Sequence, residues 1–153
     1  MNRTSQLLVV VRHGKAESGE EGNDHERRLT GRGLAAATAA GQWLAGRLDR
    51  VDHVWVSSAT RAQQTWAGIA PALPEADEVS VDRGLYLAGA REVLEHIASD
   101  DLPVRVVVGH NPTLEQVVMA LTGDLHGMRP GAVALVELAE GKGRLVKLWE
   151  PPR

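Results

Sequence analysis

The segment Leu7-Leu8-Val9-Val10-Val11-Arg12-His13-Gly14 is an apolar run that stops at an arginine, a histidine and a glycine. A Val-rich run without polar alternation reads as a strand buried on both faces, the pattern of a parallel sheet. A second unit of the same design follows later, Val104 to Val108 and then Gly109-His110-Asn111-Pro112. Loops that follow parallel strands collect at the carboxyl edge of an α/β sheet, where ligands bind. His13 and His110 are therefore predicted to meet at one edge.

Outward from these two units, apolar runs alternate with helical patterns. Thr30 is a predicted N-cap for a helix running to about Leu48, with Leu34, Ala37, Leu44 and Leu48 on its apolar face. Val51 to Val56 reads as a strand, and Ser57 or Ser58 as the cap of a helix through about Ala70, stopped by Pro71. Val79 to Val81 is a short strand and Glu92 to Ala98 a helix. Asn111 is a predicted N-cap with Pro112 at the first helical position, and that helix ends before Gly123. Ala132 to Leu138 and Arg144 to Trp149 form a hairpin across Glu140-Gly141-Lys142-Gly143. The order βα repeated, then a hairpin, predicts a three-layer α/β/α sandwich with a mostly parallel central sheet and the C-terminal hairpin at its edge.

The 153 residues suit a single domain, residues 1–153. Apolar residues make up 43%, aromatics only 3%, and Phe is absent, so Ala, Val and Leu must build the core, with Trp43, Trp55, Trp66 and Trp149 in or near it. Without cysteine there is neither disulfide nor thiol chemistry, which suits a reducing cytoplasm. The formal charge of -3 is spread along the chain, so no basic stripe points to nucleic acid, and the first apolar run is too short to span a membrane. The expectation is a cytoplasmic protein that binds neither nucleic acid nor membrane. His25, His53, His96 and His126 share no ligand spacing, so neither a metal nor another cofactor is expected.

The chemistry concentrates at the two strand ends. A neutral imidazole nitrogen attacks phosphorus without help from a stronger base, which makes His13 the candidate nucleophile. Arg12 supplies positive charge and Gly14 permits close backbone approach to an anion. His110, if protonated, stabilises charge on a transferring phosphoryl group, beside Asn111 and the positive end of the following helix. Arg61 falls at a third strand end, within Ser57-Ser58-Ala59-Thr60-Arg61-Ala62-Gln63-Gln64-Thr65, where its fork can bridge two phosphoryl oxygens.

Arg12-His13-Gly14, the segment Ser57 to Thr65 and Gly109-His110, in that order, resemble the histidine phosphatase superfamily, which includes the cofactor-dependent phosphoglycerate mutases. The resemblance implies a phosphorylated His13, with Arg12, Arg61 and His110 completing the phosphate pocket and Gly14 and Asn111 at its walls. The short chain, without room for a large cap insertion, is similar to the compact SixA-type phosphohistidine phosphatases. Asp24 to Gly33 is similar to their Asp-x-x-Arg-Pro-Leu-Thr-x-x-Gly stretch, with Arg28 in place of the proline. Many members carry a glutamate acid after the third strand; Asp82-Arg83-Gly84-Leu85-Tyr86-Leu87-Ala88-Gly89 has none. Glu17 and Asp24 remain as candidates for an acid or for support of the arginines. Departing imidazole needs an acid less than departing alkoxide does, so the missing residue favours phosphohistidine.

The implied substrate is a phosphorylated protein carrying phosphohistidine, with inorganic phosphate as product. A sugar, nucleotide or other small phosphate ester is the alternative substrate, and a non-catalytic phosphate-binding protein the alternative outside enzymes.

Overall fold

The computed structural model describes residues 5–19, 22–87 and 89–153. Positions 20 and 21 of the loop after the first strand, and Ala88, lie outside the described residues. The elements in chain order are β1 (Gln6–Arg12), α1 (Gly31–Ala45), β2 (His53–Ser57), α2 (Thr60–Ile69), β3 (Glu78–Asp82), α3 (Arg83–Leu87), α4 (Ala90–Ala98), β4 (Val104–Gly109), α5 (Thr113–Thr122), β5 (Val133–Ala139) and β6 (Lys142–Trp149). A 3-10 turn at Asp24–Glu26 lies between β1 and α1, and another at Ala70–Ala72 continues α2.

One six-stranded sheet carries the fold, in the order β3-β2-β4-β1-β5-β6. β3, β2, β4 and β1 run parallel, while β5 and β6 add an antiparallel hairpin at the edge, as expected. Strand alternation splits the apolar side chains between two layers. Val9, Val11, Val54 and Val106 pack under Ala37, Ala40 and Leu44 of α1 and Ala62 and Ile69 of α2. Leu8, Val10, Trp55 and Val107 pack under Val93 and Ile97 of α4 and Leu114, Val117 and Val118 of α5. The chain after β1 thus turns to one face and the chain after the neighbouring β4 to the other. Such a divergence opens a crevice at the carboxyl edge.

Several boundaries differ from expectation, each for a local reason. Thr30 does cap α1, accepting the Gly33 N–H at 3.1 Å, but Leu34 is 46% exposed and the buried face is built from Ala37, Ala40, Gly41 and Leu44. α2 is preceded by Ala59 with no side-chain cap; Ser57 Oγ accepts the Ala59 N–H at 3.2 Å just before the helix starts. α5 starts at Thr113, one residue later than expected, although Asn111 Oδ1 still accepts the Glu115 N–H at 3.3 Å. The short α3 follows β3 directly. The hairpin turn is Glu140-Gly141, both with positive φ (54° and 78°), the backbone that a two-residue turn requires.

The Val-rich reading of β4 passed over Arg105, which is 1% exposed. Its guanidinium reaches the end of α4, meeting Ile97 O and Asp100 Oδ1 (3.0 Å), and Gln6 Oε1 at 2.6 Å. A buried cation is tolerated where it is paired and hydrogen-bonded in this way.

Candidate active site

The register of β1 on β4 pairs Arg12 with Gly109, so the residues that follow, His13 and His110, leave the sheet side by side. The His13 N–H donates to Gly109 O at 3.0 Å, and the two imidazole centroids lie 5.1 Å apart at 63°. They stand in a cavity of about 680 Å³, lined also by Arg12, Asp24, Arg27, Arg61 and Tyr86.

His13 Nδ1 donates to Gly14 O at 2.7 Å, a pairing that assigns the proton to Nδ1 and leaves Nε2 unprotonated with its lone pair. Arg61 Nε donates to that Nε2 at 3.3 Å. Burial lowers the His13 pKa to about 4, the Gly14 carbonyl opposes this, and the Arg61 and Arg12 charges add to it. The ring is neutral near pH 7 for a physical reason: its surroundings are dry and cationic.

His110 does not carry the charge expected of it in the free protein. Burial first, then the charges of His13 and Arg61, lower its pKa to about 3. Ser57 Oγ lies 2.7 Å from His110 Nε2, so a serine at the end of β2 orients a ring at the end of β4.

Arg61 is only 5% exposed rather than solvated along a helix face. Its Nη1 donates to Asp24 O at 2.7 Å and its Nη2 to Asp24 Oδ2 at 3.1 Å. The residue is fixed because α2 begins immediately at the carboxyl edge, and because the 3-10 turn at Asp24–Glu26 is tied down over it. That turn is anchored by His25 Nε2 to Ser58 Oγ (2.8 Å), and the chain beyond it by the Leu29 N–H to Gln64 Oε1 (2.7 Å).

Arg12 reaches Met128 O through Nη1 at 2.7 Å, while its buried Nε has no acceptor among the described residues. Burial lowers the Arg12 pKa, with Glu115 opposing. Asn111 lines the cavity, but its Nδ2 is spent on Glu115 Oε2 (2.8 Å) and Met128 O (3.0 Å). Gly14 also lines it, yet its N–H donates to Thr65 Oγ1 at 3.1 Å. The need for glycine there is packing: an added Cβ would sit 2.9 Å from Gly33 O.

Of the two acid candidates, Glu17 is not part of the cavity lining; its backbone carbonyl accepts from Arg27 Nη1 at 3.0 Å. Asp24 is part of it, as an anion. Its pKa is lowered to about 2, chiefly by the Tyr86 hydroxyl, which donates to Oδ2 at 2.7 Å, with Arg61 and Arg27 adding to this against some burial. Arg27 Nε donates to Oδ1 at 3.0 Å. A carboxylate so held accepts hydrogen bonds and is a poor proton donor. Ser57, Thr65 and Tyr86 were not singled out as site residues from sequence. Tyr86 is the only tyrosine of the chain and lies in the stretch after the third strand where many family members carry a glutamate. No group of histidines or carboxylates among the described residues could hold a metal ion, and no helix there is long and apolar enough to cross a membrane.

The sequence profile of the histidine phosphatase superfamily (branch 1) matches residues 8–86. An uncharacterized protein of Mycobacterium tuberculosis is 37% identical over 113 residues, covering 72% of this chain and 69% of its own length. An uncharacterized protein of Mycobacterium leprae is 35% identical over 102 residues, covering 65% of this chain and 61% of its own, so the chain spans about two thirds of these relatives. Among solved structures, a protein assigned as phosphohistidine phosphatase SixA from Nakamurella multipartitia superposes with a TM-score of 0.85 at 31% identity, covering 97% of this chain and 98% of that one. One with the same assignment from Agrobacterium tumefaciens gives 0.86 at 28%, covering 97% and 100%. The protein histidine phosphatase SixA complexed with tungstate gives 0.84 at 25%, covering 95% and 97%.

Proposed function

The chain belongs to the histidine phosphatase superfamily (branch 1), and from that premise we propose that it removes the phosphoryl group of phosphohistidine on a protein through a covalent intermediate on His13. The observation that carries this reading is the state of His13: neutral, its Nδ1 committed to Gly14 O, and its Nε2 aimed at Arg61 beside His110. In the first step Nε2 attacks phosphorus, the bond from phosphorus to the substrate nitrogen breaks, and its electron pair leaves with the substrate ring. In the second step water attacks the phosphoryl group on His13, releasing inorganic phosphate and the free ring.

Arg12, Arg61 and His110 stabilise the charge on the equatorial oxygens. Donors fixed in advance in a dry site do this without reorganising during the reaction. Arg12 has an Nε–H without an acceptor among the described residues, which suits an oxyanion in the cavity. The similar SixA structure holds tungstate, itself a tetrahedral oxyanion. His110 works as a neutral N–H donor, its other nitrogen engaged by Ser57. A site read as one domain without a large cap leaves the cavity open to a protein-borne ring.

The test joins a variant to a substrate panel. His13→Ala is expected to lose hydrolysis of both p-nitrophenyl phosphate and a phosphohistidine protein, and the wild type to show an acid-labile phosphoryl group on His13. Retained activity in the variant would overturn the covalent role. Faster turnover of sugar or nucleotide phosphates than of phosphohistidine would overturn the substrate class.

A further inference from the structure

Among the described residues that line the cavity, Asp24 is the one carboxylate, against the guanidiniums of Arg12, Arg27 and Arg61. In an arginine fork the Nε–H and one terminal nitrogen present a single edge to a bidentate ligand. Here Arg61 Nε meets His13 Nε2 at 3.3 Å, while its terminal nitrogens hold Asp24, Nη1 donating to Asp24 O at 2.7 Å and Nη2 to Asp24 Oδ2 at 3.1 Å. A phosphoryl group docked on the Nε–Nη2 edge of this arginine would have His13 at the Nε end and Asp24 at the end of the terminal nitrogens. In-line displacement sends the leaving group away from the attacking nitrogen, so with this docking the end of Arg61 held by Asp24, with Tyr86 on its carboxylate, is the end that receives it.

Building on the phosphohistidine reading above, we propose that Asp24 is the leaving-group subsite: its carboxylate accepts the N–H of the substrate imidazole at the ring nitrogen not bonded to phosphorus. The substrate ring binds with that nitrogen protonated, as a phosphoimidazolium. His13 Nε2 forms its bond to phosphorus, the bond from phosphorus to the substrate nitrogen breaks, and the electron pair neutralises the imidazolium. The ring leaves as neutral imidazole with its proton still on the nitrogen facing Asp24. No protein group has to donate a proton in that step, so a site without a glutamate after β3 is complete for this substrate.

The surroundings hold the carboxylate in its charged form for this task. Arg27 faces it from its own loop, Arg61 from α2 and Tyr86 from α3, and its charge is felt by His110 at the end of β4. Tyr86 gives its hydroxyl to Oδ2 and Arg27 its Nε–H to Oδ1, so both oxygens are oriented by neighbouring side chains of the cavity wall. The Tyr86 ring also stands edge-on to His110 (5.8 Å) and His25 (4.8 Å), an aromatic wall suited to a flat ring. With its pKa lowered to about 2, Asp24 cannot supply the proton that an alkoxide leaving group requires, which separates this substrate from alkyl esters.

The experiment compares Asp24→Asn and Tyr86→Phe with the wild type on free phosphohistidine and on p-nitrophenyl phosphate, whose phenolate departs without a proton. Asp24→Asn is expected to lower kcat/KM on phosphohistidine at least about tenfold more than on p-nitrophenyl phosphate. The alkaline limb of the phosphohistidine profile should move down by about one pH unit, because the protonated ring loses its counter-charge. Tyr86→Phe keeps the carboxylate, its charge and both arginine contacts, so it should leave the limb in place and lower kcat/KM on phosphohistidine less than Asp24→Asn does. Equal losses on the two substrates, or an unmoved limb in Asp24→Asn, would overturn the assignment and reduce Asp24 to a support for Arg61. Failure of the wild type to turn over phosphohistidine at all would overturn the substrate reading as well.

Discussion

Two glycines at the start of α1, two residues apart, should respond to alanine with opposite signs. Gly33 is in the first turn, and a Cβ built there falls 2.3 Å from Lys15 O, 3.1 Å from Lys15 N and 3.2 Å from the Leu29 Cβ. Lys15 O cannot yield freely, since it accepts the Thr30 N–H at 2.9 Å and the Thr30 hydroxyl at 3.2 Å. An ordinary carbon-to-carbonyl contact is about 3.3 Å, so the backbone after His13 must move by ~1 Å. Helix propensity favours alanine over glycine by ~1 kcal/mol, whereas overpacking against backbone costs about 1–3 kcal/mol or more. The clash therefore wins at Gly33, with a net loss of about 1–2 kcal/mol and a drop in Tm of several degrees. Activity should fall further than stability, because a ~1 Å displacement beside a reacting nitrogen costs on the order of a hundredfold in kcat. At Gly31 nothing lies within 4 Å of the same Cβ. Gly31→Ala should keep full activity and gain up to ~1 kcal/mol. Urea denaturation together with p-nitrophenyl phosphate turnover decides the matter. Matching stability and kcat in the two variants would refute the reasoning.

The two depressed histidines make stability depend on pH with a definite sign. The unfolded chain takes up protons below about 6.5 that the folded His13 refuses until about 4, so stability present above 6.5 is lost as pH falls through that window, by roughly 3 kcal/mol for His13. Denaturation midpoints at pH 7 and pH 4.5 should show the decline, and His13→Asn should reduce it to the share left by His110; an NMR titration of the His13 ring near 6.5 would contradict the whole account. Ser57→Ala removes the partner of His110 Nε2 and of the Ala59 N–H. It should cost about 1–3 kcal/mol and release the His110 tautomer, visible in ring ¹⁵N shifts.

Much of the architecture was legible because it rests on local patterns. Val-rich runs without alternation marked β1 and β4, Thr30 marked the start of α1, and Glu140-Gly141-Lys142-Gly143 marked the hairpin turn that the structure narrows to Glu140-Gly141. His13, His110 and Arg61 were legible for the same reason: each follows a strand that can only be central, and the following loops share one edge. Leu34 was misjudged because hydrophobicity alone cannot say which side of α1 meets the sheet; the small residues Ala37, Ala40 and Gly41 let the helix approach closely instead. Arg105 was passed over because a single charge in a Val-rich run announces no partner, and its partners come from α4 and β1.

Sequence by itself determined the α/β class, the paired strand ends and the residue types gathered at them, since those follow from side-chain period and chain direction. Tertiary structure alone decided the charge states. Burial among arginines keeps His13 and His110 neutral, and the convergence of Tyr86, Arg27 and Arg61 from separate segments keeps Asp24 ionised. The physical reason is that a strand or a turn is encoded by residues a few positions apart. A pKa is set by the solvent and charges within a few ångströms, and here Asp24 and Tyr86 stand 62 positions apart in the chain yet 2.7 Å apart in space.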